Sequence, residues 1–350
     1  MTRPEDVRER LTEIRPPRSD RDIVTAGMVR RVEVREGEVV VALDPKGLPE
    51  PLVRVLVADV ERAVGALEGV ARVSVAVEPE KGLPAPEPVP GVRDVLAVAS
   101  AKGGVGKSTV ATNLAVALRH RGKTVGLLDA DVYGPSLPVL FGLEGRPRVT
   151  QSKKILPLEK YGVRAMSMGF FLDDRSPVIW RGPLVMGLVR QFLRDVDWSG
   201  CEILVVDLPP GTGDAALTLL QQVPVTGGLV VTTPQDVALL DVERGVSMFE
   251  QVRTPVIGVV ENMSEYVCPR CGTREPLFGE GGGRKVAERF GVPLLARIPL
   301  DPSVREAGDA GKPVVVDRPD HPVSKVFEEL AERVLEGMEA AREPAPVLVG

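Results

Sequence analysis

The chain has 350 residues, 43% of them hydrophobic and 27% charged, which suits a globular protein with one large domain and one small one. A net charge of −5 argues against a nucleic-acid partner. No apolar run approaches the ~20 residues of a membrane span, and MTRPEDVRERLTEIRPPR lacks the apolar core of a signal peptide. The expectation is a cytoplasmic protein with no membrane or nucleic-acid partner, and three cysteines are too few for a disulfide framework.

Residues 1–78 read as a small α+β domain. Thr2–Thr12 starts a helix with Val7 and Leu11 at i, i+4. Met28–Val34 and Val39–Leu43 are β-rich and flank a turn at Glu36-Gly37. Leu52, Val53, Leu56, Val60, Ala63, Val64 and Leu67 form a helical stripe, and Val70–Val77 closes as a half-buried strand. Residues 79–93 read as a linker, since five prolines between Pro79 and Gly91 favour an extended spacer.

Residues 94–343 read as one α/β domain, with 344–350 a tail. An apolar run, Val95–Ala99, leads into Lys102-Gly103-Gly104-Val105-Gly106-Lys107-Ser108-Thr109, and a helical face of Val110, Leu114, Ala117 and Leu118 follows. Strand, glycine-rich turn and helix is the setting of a phosphate-binding loop. Glycines let backbone N–H groups surround a phosphate, and the helix start points its positive end at the same anion. Lys107 supplies charge to the outer phosphates, and the Ser108 hydroxyl can ligate Mg²⁺. Ala101 stands where the general pattern has its first glycine, and Lys102 gives the cradle a second lysine.

Further strands are expected at Val125–Leu128, Val163–Met168, Ile203–Val206, Leu229–Thr232, Val256–Val260 and Leu294–Ile298. Helices are expected around 108–120, 183–194, 214–222, 236–251 and 283–290. This alternation predicts a mostly parallel sheet covered by helices on both faces, with ligands at the carboxyl ends of its strands. The last helix, Pro322–Arg342, has an apolar face and an excess of glutamates, so packing on its own domain is expected over membrane binding.

Asp129 and Asp131 end the second strand of this domain, and Asp207 ends another, beside the loop Leu208–Gly213. Carboxylates there can hold Mg²⁺ or orient an attacking water, the simpler alternative for each being a helix cap, as expected for Asp214. Cys268-Pro269-Arg270-Cys271-Gly272 is half of a four-thiolate site, and Cys201, His120 and His321 are poorly placed to complete it. Two copies related by a twofold supply four thiolates, suited to zinc or to a [4Fe–4S] cluster. Cys-Pro-x-Cys-Gly spacing alone leans to zinc.

Lys102–Thr109, Leu127–Ser136, Trp180–Leu184, Asp207–Asp214, Glu261–Ser264 and Cys268–Cys271 occur in an order that resembles the Mrp/ApbC family of ATP-binding iron–sulfur cluster carriers. Asp22–Val29 resembles the small iron–sulfur assembly domain fused to many bacterial members. The resemblance implies a homodimer, with Lys102 reaching the partner's nucleotide. It implies ATP and Mg²⁺ held by residues 101–109, Asp129 and Asp207, with Asp131 as the hydrolytic carboxylate. Asn262 would read adenine, with Pro299–Asp301 lining the base. Cys268 and Cys271 would join their symmetry mates around a [4Fe–4S] cluster delivered to apo iron–sulfur proteins. No arginine finger stands out except Arg181, so slow hydrolysis is expected. Relatives often carry Cys-Pro where this chain has Leu43–Pro49, so its small domain is not expected to bind a cluster. The alternatives are a membrane- or DNA-positioning ATPase and a zinc-bridged dimer.

Overall fold

The structure is a computed structural model, and it describes residues 2–16, 21–35, 37–45, 50–77, 86–171, 182–235, 238–268 and 270–342. The chain divides into two compact units, Met1–Pro84 and Ala85–Gly350. The first contains α1 (Pro4–Leu11), β1 (Val29–Arg35), β2 (Glu38–Leu43), α2 (Glu50–Gly65) and β3 (Arg72–Val77). β2 lies centrally, antiparallel to β1 and parallel to β3. Alternation puts Val39, Val41 and Leu43 on one face of β2. They pack with Val7 and Leu11 of α1 and with Leu56, Val60 and Val64, the helical stripe of α2. Asp44 is buried and paired with Arg30 at 2.5 Å.

The second unit runs β4 (Val92–Ala99), α3 (Lys107–His120), β5 (Val125–Asp129), α4 (Leu137–Phe141), β6 (Arg148–Val149), β7 (Ile155–Leu156), β8 (Leu158–Lys160) and β9 (Val163–Ser167). It continues with α5 (Gly182–Arg194), β10 (Cys201–Asp207), α6 (Asp214–Leu220), β11 (Gly227–Thr232), α7 (Ala238–Gln251), β12 (Val256–Val267) and β13 (Arg274–Glu275). The chain then forms α8 (Gly282–Phe290), β14 (Leu294–Leu300), α9 (Pro302–Asp309), α10 (Val314–Asp317) and α11 (Pro322–Arg342). The main sheet has the order β13-β12-β11-β4-β10-β5-β9-β8, and β14 also pairs with β12. Its body is parallel, with β8 and β13 as short antiparallel additions. The central strands β4, β5, β10 and β11 are almost wholly buried, which explains their unbroken apolar sequences.

Residues 86–91 lie against this unit: Glu87 N–H donates to Gln222 O at 3.1 Å, and Val89 is buried. α11 buries Val323, Phe327, Leu330, Val334 and Met338 in the same core. Two of its glutamates are paired within the unit, Glu328 with His120 (2.8 Å) and Arg121 (3.3 Å), and Glu332 with Arg121. The helix therefore packs on its own domain, and no described helix is long and apolar enough to cross a membrane.

Candidate functional site: a phosphate loop and a cysteine hairpin

The register places the expected chemistry at the carboxyl ends of the central strands. Asp207 of β10 lies opposite Asp129 of β5 and Val98 of β4, so both carboxylates end level with the start of the glycine loop. Gly104 and Gly106 have φ near +80°, a conformation L side chains rarely adopt. Gly106 precedes α3, and a Cβ there would lie 2.3 Å from Asn262 Nδ2. The loop therefore requires glycine both for its backbone and for the close approach of β12. Ala101 meets no such demand; the neighbouring Ser100 O accepts from Gly211 N–H at 2.9 Å, bringing the Asp207–Gly213 loop alongside.

A cavity of about 300 Å³ is walled by residues 102–109 together with Asp131, Gly134, Ser136 and Pro210. Lys107, the first residue of α3, is 6% exposed, and its ammonium pairs with the Asp207 carboxylate. Ser108 Oγ is 3.4 Å from the same ammonium. Burial pushes the Asp207 carboxyl above the usual range, with Lys107 opposing by favouring the ionised form. Lys107 and Ser108 thus line the cavity at the start of α3, with Asp207 behind them.

The two aspartates of β5 and its following loop have different surroundings. Asp131 faces the cavity, and its Oδ1 accepts from Tyr133 N–H (3.2 Å) and Gly134 N–H (3.1 Å). Asp129 is fully enclosed. Its oxygens accept from Asp131 N–H (3.1 Å), Ser136 N–H (3.1 Å), Leu137 N–H (3.2 Å) and Ser167 Oγ (3.0 Å). Burial and the nearby Asp207 raise its carboxyl to about 7. Asp129 therefore anchors the loop that presents Asp131, rather than lining the cavity itself. Ser167, at the end of β9, was not among the expected residues; only its strand-end position hinted at it.

A second cavity of about 220 Å³ shares Gly106, Thr109 and Leu140 with the first and is lined by Asn262, Pro299 and Asp301. The three residues expected at the base are thus brought together beside the phosphate loop. Two of them have further tasks: Asn262 Nδ2 donates to Val105 O at 2.8 Å, and Asp301 Oδ1 caps α9 through Ser303 N–H at 2.8 Å. Lys102 Nζ donates to Gln235 Oε1 of its own chain at 3.2 Å. Gln235, just beyond the end of β11, carried no sequence signal.

At the outer end of the sheet order, β12 runs on into a hairpin with β13. Cys268 N–H donates to Thr273 O and Gly272 N–H to Cys268 O, each at 2.9 Å, with Gly272 at φ +71°. Cys268 is half-buried and Cys271 exposed at this tip. The Thr273 hydroxyl and backbone, then Cys268, hydrogen-bond the Cys271 sulfur and hold its thiol below the usual range, which favours the thiolate a metal needs. Among the described residues no group of three or more His, Cys, Asp or Glu side chains could hold a metal ion, so the hairpin brings two thiols together without a third such ligand beside them. Cys201 is buried in the core, where burial raises its thiol. Trp180, Arg181, Pro269 and the tail 344–350 lie outside the described residues, as does the Asp214 side chain at the start of α6.

Comparison with known proteins agrees with this geometry. A sequence model described as NUBPL iron-transfer P-loop NTPase matches residues 91–335, and one described as iron–sulfur cluster assembly protein matches residues 4–77. An iron–sulfur cluster carrier protein of Synechocystis sp. is 44% identical over 336 residues, covering 93% of this chain and 95% of the relative. The iron–sulfur cluster transfer protein NUBPL of Mus musculus is 45% identical over 265 residues, covering 75% and 83%. Among solved structures, an ADP complex of a nucleotide-binding protein from Archaeoglobus fulgidus, with cobalt found in it, is 39% identical. It has a TM-score of 0.59 and covers 68% of this chain and 93% of its own. The cell-division ATPase MinD of Pyrococcus furiosus shares the fold at 26% identity and TM-score 0.52, covering 69% and 98%. With a phosphate loop and a two-cysteine hairpin both following the carboxyl ends of parallel strands, and matches of this extent, the chain belongs to the NUBPL iron-transfer P-loop NTPases, the family of iron–sulfur cluster carriers.

Proposed function

We propose that this chain carries a [4Fe–4S] cluster as cargo between the cysteine pairs of two identical subunits and delivers it to apo iron–sulfur proteins, under the control of ATP. One observation carries the reading. β12 holds the phosphate loop through Asn262 and, six residues later, presents Cys268 at an exposed tip. Nucleotide and cargo thus meet the same strand.

The roles follow from position. Lys107 would leave Asp207 for the phosphates, and Ser108 with Asp207 would hold Mg²⁺, which would supply neutralisation of the phosphate charge. Asp131 orients the attacking water, and Asp129 keeps the Asp131 loop in place. Lys102 exchanges Gln235 for the partner's nucleotide. The small unit contains no cysteine, so its assigned role is recognition rather than cluster ligation. The reading is tested by Cys268→Ala and Cys271→Ala. Each should abolish cluster retention after anaerobic reconstitution while ADP binding persists; full reconstitution of both overturns it.

A further inference from the structure

β12 contains a strained break between its contact with the phosphate loop and its cysteine tip. Upstream, Glu261 is fully buried and clamped, its carboxylate accepting from Gly283 N–H at 2.6 Å and from Arg297 Nε at 2.8 Å. Asn262 then holds Val105 O. The next residue, Met263, has φ +56°, in the left-handed region that is costly for a residue with a Cβ. The register slips at the same point. Asn262 pairs with Ile298 and the next pair is Tyr266 with Leu300, so β12 advances four residues while β14 advances two. That is a bulge, and bulges re-aim the strand beyond them. Past it, Glu265 pairs with Arg274 at 2.5 Å, Val267 lies opposite Arg274, and Cys268 follows.

The Met263 side chain lies against the loop. Its Cε would be 3.7 Å from a Cβ on Gly106. It borders both the cavity shared with Asn262 and Pro299 and a separate cavity beside Lys102, Gln235 and Phe278. Met263 therefore lines the cavities beside the nucleotide loop with its side chain and sits at the bend of the cysteine-bearing strand with its backbone.

We infer that Met263 is a positioning residue through which the state of the nucleotide loop sets the geometry of the Cys268/Cys271 hairpin. Three features support this. The Glu261 clamp prevents a shift at Val105–Gly106 from being absorbed upstream. Met263 holds strain in its left-handed backbone that a move to extended φ would release, so the bulge is where the strand can change its geometry. The tip beyond it is held by the Tyr266–Leu300 pair, the Glu265–Arg274 ion pair, the short β12–β13 pairing and its own turn. The inference deepens the carrier reading and rests on it for its biological meaning, but its test needs no cluster.

The test measures alkylation rates of Cys268 and Cys271 by iodoacetamide in the reduced, metal-free full chain, with and without saturating MgADP. In the unsubstituted protein MgADP should change the rates by about fivefold or more, the lower end of ordinary allosteric coupling. Met263→Gly frees the backbone, so it should bring that ratio close to one. Met263→Leu keeps the Cβ and the packing, so it should retain the ratio. A thermal melt on each variant separates loss of coupling from loss of fold. No nucleotide effect in the unsubstituted chain, or an undiminished effect in a folded Met263→Gly protein, overturns the inference. Failed cluster reconstitution alongside a normal alkylation response would overturn the carrier reading and leave this coupling standing.

Discussion

Asp207→Asn tests whether the phosphate-loop lysine depends on an internal partner until nucleotide arrives. The side chains of Lys107 and Asp207 are 6% and 4% exposed, so solvent screens their interaction little. Removing one member of a buried pair costs about 3–5 kcal/mol, because the remaining charge stays out of water. At about 2 °C per kcal/mol, as for domains of roughly 200 residues, the larger unit should melt about 6–10 °C lower. Phosphate is a replacement anion for Lys107, so ADP added in EDTA should recover most of that loss. The variant should therefore gain more from ADP than the unsubstituted protein does. Differential scanning calorimetry with and without ADP measures both quantities. A loss equal in size with and without ADP, or one below about 1 kcal/mol, would refute the assignment of the pair as a nucleotide-exchanged contact.

Asp129 makes a pH prediction. Its carboxyl is raised from 3.8 to about 7, so the folded state binds this proton more tightly than the unfolded chain does. Its contribution to stability is then fully present below about pH 4 and is lost as pH rises through 7. Asp129→Asn should remove that slope from urea midpoints measured across this range; parallel curves for the two proteins would contradict it. Asp131→Ala should lower ATP turnover by about 100-fold, the low end for a lost acid–base or water-orienting group, with a much smaller change in ATP affinity. Unchanged turnover would remove Asp131 from the mechanism.

The phosphate loop was legible because its requirements are local. Gly104 and Gly106 need positive φ, and Lys107-Ser108 follows at a fixed spacing between a strand and a helix. The parallel strands were legible for a related reason: burial on both faces leaves an unbroken apolar run. Side-chain partners brought together by the tertiary fold were not legible. Asp129 and Asp131 read as equivalent strand-end carboxylates. What separates them is Ser136, Leu137 and Ser167, which fold back onto Asp129 from later in the chain. Asn262 was expected at the base and does border that cavity, yet its amide is also bound to Val105 O of the loop. Arg274–Glu275 is too short to show a strand period, so the hairpin that holds the cysteines was visible only as a Cys-x-x-Cys spacing.

The central claim is that two chains share one cluster. The most direct measurement is iron content and mass after anaerobic reconstitution of the full chain, by elemental analysis and sedimentation. The account predicts a dimer holding about four irons, as a single bridging [4Fe–4S] cluster requires. A colourless dimer holding about one zinc, as a closed four-thiolate zinc site would, contradicts it.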